Sequence, residues 1–255
     1  MALEVLTKVY KPMMTVGPVY ARPWGSTVMP TPVGNVMELT INHTEDVQKQ
    51  SSMERLGGGT HAEVRRVTEI NVAMRMADVN VVNLARAALG TVAGIAAGTV
   101  TDEPFTLSAL GSLLPLAHVG ATSVTLKKGA TAGAATPVTM AGNWEPRGEG
   151  IFVLPDAPGL APADKLWVSY SYGDYAVIEA LTQKSVELEL IFGGMNEAES
   201  GKPHVVNLWR CSQGVTQQLS LLNTGFNGLT VNGTLLEDPT KTGSGVSKYY
   251  RSRMV

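Results

Sequence analysis

Residues 185–210, SVELELIFGGMNEAESGKPHVVNLWR, decide the fold of this chain. Residues 186–190, VELEL, alternate apolar and acidic side chains, which is the pattern of a strand with one buried face. The pair Gly193–Gly194 is predicted to end that strand, because glycine adopts backbone angles that other residues avoid. A second strand is predicted at residues 205–210. The stretch therefore predicts two successive strands joined by an acidic loop, with no grouping of side chains that could do chemistry.

Short runs of the same kind continue on both sides of this stretch, separated by Gly, Pro, Asn and Asp. Further strands are predicted at residues 36–41, 63–77, 122–127, 150–154, 166–172, 176–180, 217–222 and 229–236. One helix is predicted at residues 79–89, and the glycine-rich residues 87–100 are interpreted as a linker after it. Many short strands with a single helix predict a mainly β fold, a β-sandwich or barrel with one flanking α-helix.

The predicted helix is amphipathic. Asp78 is expected to be its N-cap, and Gly90 stands where a glycine commonly follows a helix end. Arg86 is expected on the outer face. The face toward the core is predicted to consist of Val81, Leu84, Ala85 and Ala88.

No internal repeat and no change in composition divides the 255 residues, so a single domain over residues 1–255 is predicted. This domain has a proline-rich N-terminal arm, a long polar loop, an elaborated middle segment and a C-terminal arm, at residues 1–34, 42–59, 119–163 and 239–255. An unstructured loop as long as residues 42–59 is uncommon inside a compact domain and is often functional.

Composition bears on partners. Charged residues make up only 16% of the chain, against roughly 25% in average soluble domains, which indicates that part of the surface is covered by other subunits. The formal net charge of −2 argues against a protein that holds nucleic acid electrostatically. The longest apolar run, residues 87–100, is shorter than the ~20 residues that span a bilayer, so no membrane insertion is expected.

Side chains that carry out catalysis or hold metals are scattered. The four histidines lack metal-ligand spacing, and the single cysteine, Cys211, stands in strand context and is predicted to be a buried apolar residue. No nucleophile motif or phosphate-binding glycine loop precedes a helix. The sequence therefore predicts a protein that is not an enzyme and has no cofactor and no metal.

Five short motifs, in this order and spacing, resemble the bacteriophage major tail tube protein family. They are NLARAALG at 83–90, LWVSYSY at 166–172, FGGMN at 192–196, GKP at 201–203 and LLEDPTK at 235–241. The resemblance implies a β-barrel or sandwich with a flanking helix, six copies of which form a ring through their sheet edges. Rings stack into a tube that conducts DNA to the host.

The resemblance also implies partners and a location. These are further copies of the same chain, a tape-measure protein, tail terminator and tip proteins, and DNA that passes without sequence-specific binding. The protein would reside in the virion tail, and in the host cytoplasm during assembly. Tube proteins of contractile tails, pyocins and type VI secretion share the architecture, and the resemblance favours a long non-contractile tail.

Three groups of residues are predicted to serve assembly. The polar loop is expected to contact the next ring through Glu45, Asp46, Gln48, Lys49, Glu54 and Arg55. The pore wall is expected to carry Glu187 and Glu189, whose charge would repel DNA phosphates, although a solvated outer face explains them equally well. The C-terminal arm, hinged at residues 243–245, is expected to dock on a neighbouring subunit through Tyr249, Tyr250 and Arg251.

Two readings from other classes stay open. One is a glycan-binding or adhesive β-sandwich protein that would act as a monomer and would use some of the four tryptophans. The other is a hydrolase on a β-scaffold, which would need a convergent acid, base or nucleophile. Rings or tubes of the purified protein would distinguish the tube reading from both.

Overall fold

The structure is a computed structural model that describes residues 12–54 and 56–255, and within them the chain is mainly β with one α-helix, as the sequence predicts. The helix, α1, is Val81–Ala87. The strands are β1 (Thr15–Val16), β2 (Val19–Pro23), β3 (Thr31–Pro32), β4 (Val36–Ser51), β5 (Thr60–Met76), β6 (Thr91–Ile95), β7 (Gly98–Thr106), β8 (Leu113–Pro115), β9 (Thr122–Lys128), β10 (Thr136–Pro137), β11 (Trp144–Arg147), β12 (Gly150–Val153), β13 (Lys165–Tyr172), β14 (Tyr175–Glu179), β15 (Val186–Asn196), β16 (Lys202–Gln213), β17 (Leu229–Leu235) and β18 (Tyr250–Met254).

The described residues form two compact units where the sequence predicted one domain. Unit 1 contains the described residues up to Val92 together with Ile178–Val255, and unit 2 is Ala93–Val177. The middle segment 119–163 lies inside unit 2. Residues 87–100, interpreted as a linker, contain β6 and the first three residues of β7. Both units are built from antiparallel β-strands, so no change in composition marks the boundary.

Unit 1 contains one large antiparallel sheet in the order β3-β2-β15-β16-β17-β5-β4, with β1 also beside β15 and β18 beside β16. One face of this sheet is apolar and forms the core. Its buried side chains come from five strands: Val19 and Ala21; Val72, Met74 and Met76; Leu188 and Leu190; Leu208 and Cys211; and Leu229, Val231 and Leu235. The hydrophobic effect on this face holds the unit together.

Strand β15 shows the predicted alternation, with Leu188 and Leu190 in the core. The prediction that glycines end it is wrong, because β15 continues to Asn196 in register with β16. The glycines instead permit close packing. A Cβ on Gly194 would lie 2.7 Å from the carbonyl oxygen of His204, and a Cβ on Gly17, which directly follows β1, would lie 2.2 Å from that of Gly193.

Helix α1 differs from the prediction in its start and its buried face. Its N-cap is Asn80, whose side chain accepts from the Asn83 N–H at 2.9 Å, while Asp78 accepts from the Asn35 N–H. Asn83, Ala85 and Ala87 are buried, whereas Val81 is exposed and Leu84, Arg86 and Ala88 are half-buried. The buried amide of Asn83 donates to the Val33 carbonyl at 2.6 Å, and this bond turns a polar residue inward.

Unit 2 has its own core. A four-stranded sheet, β10-β9-β13-β7, and a three-stranded sheet, β11-β12-β8, contribute to a single cluster of buried side chains. Trp144 belongs to it, and its indole N–H donates to the Val138 carbonyl at 3.2 Å. In the part of the chain that the structure describes, no helix is long and apolar enough to cross a membrane.

Candidate functional site

The polar segment 42–59 is mostly strand, which corrects the prediction of a long loop. Strand β4 runs to Ser51 and pairs with β5 down to Thr60, so the connecting turn is only residues 52–59. The sequence analysis predicted strands at residues 36–41 and 63–77 but missed residues 42–51 of β4, because the alternation of apolar and polar residues depends on one buried face. Residues 43–50 lie exposed on both faces, apart from the half-buried Val47.

Among the described strands, the residues of β4 and β5 between Asn71 and their connecting turn pair only with each other. Strand β17 pairs with β5 over residues 71–76 and no farther. We call residues 43–51 and 60–69 the outer ribbon. Every residue of Thr60–Glu69 is exposed. A two-stranded hairpin is marginally stable alone in water, so this ribbon is a surface suited to being covered by another molecule.

Four of the six predicted ring-contact residues, Glu45, Asp46, Gln48 and Lys49, lie on the β4 side of the outer ribbon. Glu45 faces Arg65 at 3.5 Å, and Lys49 faces Glu63 at 3.5 Å, both across the two strands. The Gln48 amide donates to both Asp46 carboxylate oxygens at 3.0 Å. Exposed pairs of this kind each contribute a few tenths of a kcal/mol, and they favour the observed register.

The turn at the end of the ribbon, residues 52–59, is the ribbon tip. Glu54 lies in it, and the sixth predicted residue, Arg55, lies outside the described residues. The Gly57–Gly59 triplet has φ angles of 96°, 68° and 137°, which require glycine, and the Ser52 N–H donates to the Gly59 carbonyl at 2.7 Å. The ribbon tip carries Met53 and Leu56, both fully exposed.

A second exposed tip was missed by the sequence analysis. Residues 217–222, predicted as a strand, have no regular structure and belong to the connection between β16 and β17. This connection starts as a hairpin, because the Gly214 N–H donates to the Asn232 carbonyl at 2.9 Å and the Thr216 hydroxyl to the Thr230 carbonyl at 2.8 Å. We call residues 217–228 the distal loop. Its exposed apolar residues, in a chain segment without charge, were the signal that could have identified it.

Glu187 and Glu189 lie on the face of β15 opposite the core, and both are paired. The Arg210 guanidinium donates to both Glu187 oxygens at 2.8 and 2.9 Å, and this raises the pKa of Arg210. Arg22 lies 2.6 Å from the Glu189 carboxylate. The Arg210 guanidinium also stacks 4.1 Å from the ring of Trp24. The two carboxylates thus carry matched cations, and their position on a pore wall stays a prediction.

The C-terminal arm is part of its own sheet. Strand β18 pairs antiparallel with residues 204–208 of β16, and Tyr249 and Tyr250 pack against the core of unit 1. The guanidinium of Arg251 lies 5.5 Å from the Trp209 ring, whose N–H donates to the Ser247 carbonyl. These residues therefore lie against their own chain, and their docking on a neighbouring subunit stays a prediction. The unpaired edge of β16 provides a site within the same chain.

Unit 2 holds a group of aromatic side chains that the sequence analysis did not single out. The His118 ring stacks on Tyr172 with centroids 3.7 Å apart, and its Nδ1 lies 2.9 Å from the Tyr175 hydroxyl. The Tyr170 hydroxyl donates to Glu103 at 2.8 Å, and burial together with this carboxylate raises the pKa of Tyr170 to about 12. The alternation SYSYGDY was the available signal.

In residues 12–54 and 56–255, no cluster of three or more His, Cys, Asp or Glu side chains is placed to hold a metal ion. Cys211 is buried, as predicted. Burial raises the pKa of its thiol to about 12, so it is protonated at neutral pH and a poor nucleophile.

The site of interest is therefore a set of surfaces: the outer ribbon, the ribbon tip and the distal loop, all carried by unit 1. A comparison with the curated proteins finds no match. The family model described as "Protein of unknown function UCP028589" matches residues 12–253, nearly the full length, and the chain therefore belongs to that family.

Proposed function

We propose that the protein is the repeating structural subunit of a tail tube of a long-tailed bacteriophage, in which hexameric rings stack around a channel for DNA. The observation that carries the proposal is the outer ribbon, about ten residues of each strand exposed on both faces. A monomer gains little from such a ribbon, since it buries no apolar face. A polymer gains a contact that reaches from one subunit to the next.

The open sheet of unit 1 supports ring formation. Strand β4 ends the sheet on one side, and among the described strands it has β5 as its single neighbour along residues 36–51. The two-residue β3 ends it on the other side. An unpaired strand edge is a template for another strand, so a second copy could extend the sheet at β4. Repeated by a rotation that closes, this contact makes a ring.

The ion pairs on β15 refine the proposal for the channel. Because Glu187 and Glu189 are matched by Arg210 and Arg22, this face has little net charge. DNA would then pass a wall of balanced charge, with neither strong attraction nor strong repulsion at these positions. Tape-measure, terminator and tip proteins remain the proposed partners, and the virion tail the proposed location.

Electron microscopy of the purified protein tests the proposal directly, with rings or stacked tubes as the expected result. A ribbon excision sharpens it. Thr44 and Glu69 are paired residues, so replacing residues 45–68 with an Asn-Gly turn should leave a closed hairpin. We expect a folded monomer with a nearly unchanged melting temperature and no tubes, because the ribbon contributes no core side chain.

The matched control is Asp156→Asn, which keeps the ribbon and removes one exposed charge in unit 2. Tubes should form normally. Normal tubes from the excision variant would refute the role given to the ribbon, and a protein that stays monomeric under all conditions would refute the tube itself.

The glycan-binding alternative would use a group of aromatic residues in unit 2. The ring stack of His118 on Tyr172, beside Tyr175, is the kind of aromatic group on which sugars pack. Binding of a glycan by the monomer, abolished by Tyr172→Ala, would favour this function over the tube.

A further inference from the structure

Exposed apolar side chains are concentrated at two places in unit 1. Among the described residues, the five most exposed large hydrophobic side chains are Leu56 (106%), Phe226 (103%), Leu222 (95%), Met53 (91%) and Leu221 (80%). The first and fourth belong to the ribbon tip, and the other three belong to the distal loop. Scattered exposed apolar residues are ordinary, but grouping at two projecting tips marks interaction sites.

The two tips lie at opposite ends of strand β5. Leu229, which follows the distal loop, pairs with Met76, and Thr234 pairs with Asn71. On the other side of Asn71, residues 60–69 of the strand lie in the outer ribbon, away from β17. The ribbon tip directly precedes Thr60. Strand β5 is 17 residues long. At ~3.3 Å per residue it separates the tips by roughly 55 Å along the strand.

The tips differ in chemistry as well as in position. Residues 214–228 contain no Asp, Glu, Lys or Arg, while the ribbon tip has the adjacent pair Glu54 and Arg55 beside its apolar residues. A hollow of about 260 Å³ adjoins the distal loop, lined by Gln217, Gln218, Ser220, Gly228, Thr230 and Asn232. A concave, neutral, amide-rich surface accepts a projecting turn, because Gln and Asn side chains both donate and accept hydrogen bonds.

The ribbon tip projects at one end of β5, and the distal loop carries exposed apolar side chains at the other end. The ribbon tip of one copy could therefore bind the distal loop of another copy, which is a contact between unlike surfaces. When unlike surfaces of identical chains meet without closing a ring, the contact repeats and an open stack results. An interface between two copies of the same tip would instead stop at a dimer.

We propose that the distal loop is the acceptor for the ribbon tip of a second copy of this chain, so that Met53 and Leu56 of one copy pack against Leu221, Leu222 and Phe226 of the next. The inference rests on the proposed tube, and it gives that tube a direction, since every subunit points its ribbon the same way along the axis.

Cysteine pairing between two separate variants tests this inference. Met53→Cys or Leu56→Cys protein is mixed with Leu221→Cys, Leu222→Cys or Phe226→Cys protein and mildly oxidised, giving six combinations. The native Cys211 is buried and does not compete. At least one mixture should form disulfide-linked dimers at least tenfold more abundantly than either variant alone, because a disulfide needs Cβ atoms within ~4.5 Å.

A second set of variants gives an independent readout. The triple substitution Leu221→Ser, Leu222→Ser and Phe226→Ser should leave the melting temperature nearly unchanged, because these side chains are exposed, and should abolish tubes. Met29→Ser and Leu181→Ser are matched controls on exposed apolar residues elsewhere in unit 1, and tubes should persist in both.

The outcomes separate the inference from the proposed function. Wild-type tubes with no mixed disulfide in any combination, with disulfides between identical tips, or with tubes persisting in the triple variant would overturn the inference and leave the tube standing. Wild-type protein that forms no rings or tubes and gives no mixed disulfide would overturn both.

Discussion

The outer ribbon and the C-terminal arm are both polar segments, but only the arm packs on the rest of unit 1. Both were predicted to contact neighbouring subunits. A glycine-containing run adjoins or interrupts each, at residues 57–59 in the ribbon tip and at residues 243–245 in the arm. The arm lies in its own sheet as β18, whereas the ribbon extends past the last residue of β5 that pairs with β17. The difference is set by the rest of the sheet, since β17 leaves part of the β16 edge open for the arm, whereas no third strand in the described part of the chain pairs with the ribbon.

Strand β17 explains why that edge is available. It pairs with β16 over residues 211–213 and leaves residues 204–208 unpaired on that side. Buried backbone groups without partners are costly, and the arm supplies those partners. Its two tyrosines add apolar contact with the core. The arm therefore pairs with the strand edge that β17 leaves open on β16, and its polar composition does not by itself indicate a contact with another subunit.

Truncation after Lys241 should have the largest effect on stability, because it removes β18 and both tyrosines. We expect the free energy of unfolding to fall by on the order of 5 kcal/mol, or folding to fail, measured by urea denaturation. Truncation after Met254 removes the exposed Val255 alone and is the matched control. An unchanged denaturation curve after Lys241 would mean that the arm belongs to a neighbour after all.

Two valines on β5 test whether the outer ribbon is uncovered in the monomer while the rest of the strand is part of the core. Val72 is 3% exposed and Val64 is 54% exposed, and both lie on β5 an even number of residues apart. Val72→Ala should lower the free energy of unfolding by about 1–3 kcal/mol, because it leaves a cavity in the core. Val64→Ala should change it by less than about 0.5 kcal/mol. Equal losses would show that the ribbon is covered within the monomer.

A smaller effect on stability is expected when low pH protonates Asp238, which directly precedes the arm. Burial would raise the pKa of the Asp238 carboxyl, but the Thr240 N–H and hydroxyl, at 2.9 and 2.7 Å, and the nearby Lys241 together lower it. A carboxyl whose pKa is lower in the folded state stabilises the protein above its ordinary pKa of ~3.9, and this contribution is lost as the pH falls through the folded value.

Melting temperatures of the wild type and Asp238→Asn between pH 7 and pH 3 measure that contribution. The wild type should melt higher at pH 7, and the gap should close toward pH 3. Asp46→Asn, on the exposed ribbon, controls for the change in net charge. A constant gap over the whole range would show that the Asp238 charge contributes nothing.

Sequence patterns predicted most of the fold where one face of a strand is buried. Residues 186–190 alternate in the sequence and in the structure, and the mainly β class with one helix follows from many such runs. The helix face was wrong because a hydrophobic pattern ignores Asn83, whose burial depends on the carbonyl of Val33, fifty residues earlier in the chain. Long-range hydrogen bonds of this kind leave no periodic signal.

The candidate surfaces were harder to predict for the same physical reason. A ribbon exposed on both faces has no alternation, so residues 43–51 look like a loop. The cations Arg22 and Arg210 that neutralise Glu189 and Glu187 come from two other strands, and only the sheet order brings them together. The ring-contact prediction for Glu45, Asp46, Gln48, Lys49, Glu54 and Arg55 stays a prediction.

Strands β6 and β14, where the chain passes into unit 2 and returns from it, pair with each other. Neighbouring strands in a sheet lie about 4.8 Å apart, so the chain leaves unit 1 and re-enters it at almost one point. A tight turn spans that distance as well as 85 residues do, and closing a longer connection costs only slowly more entropy. The pairing of β6 with β14 therefore sets no limit on the length of unit 2, and a shorter or longer insert would fit between the same two strands.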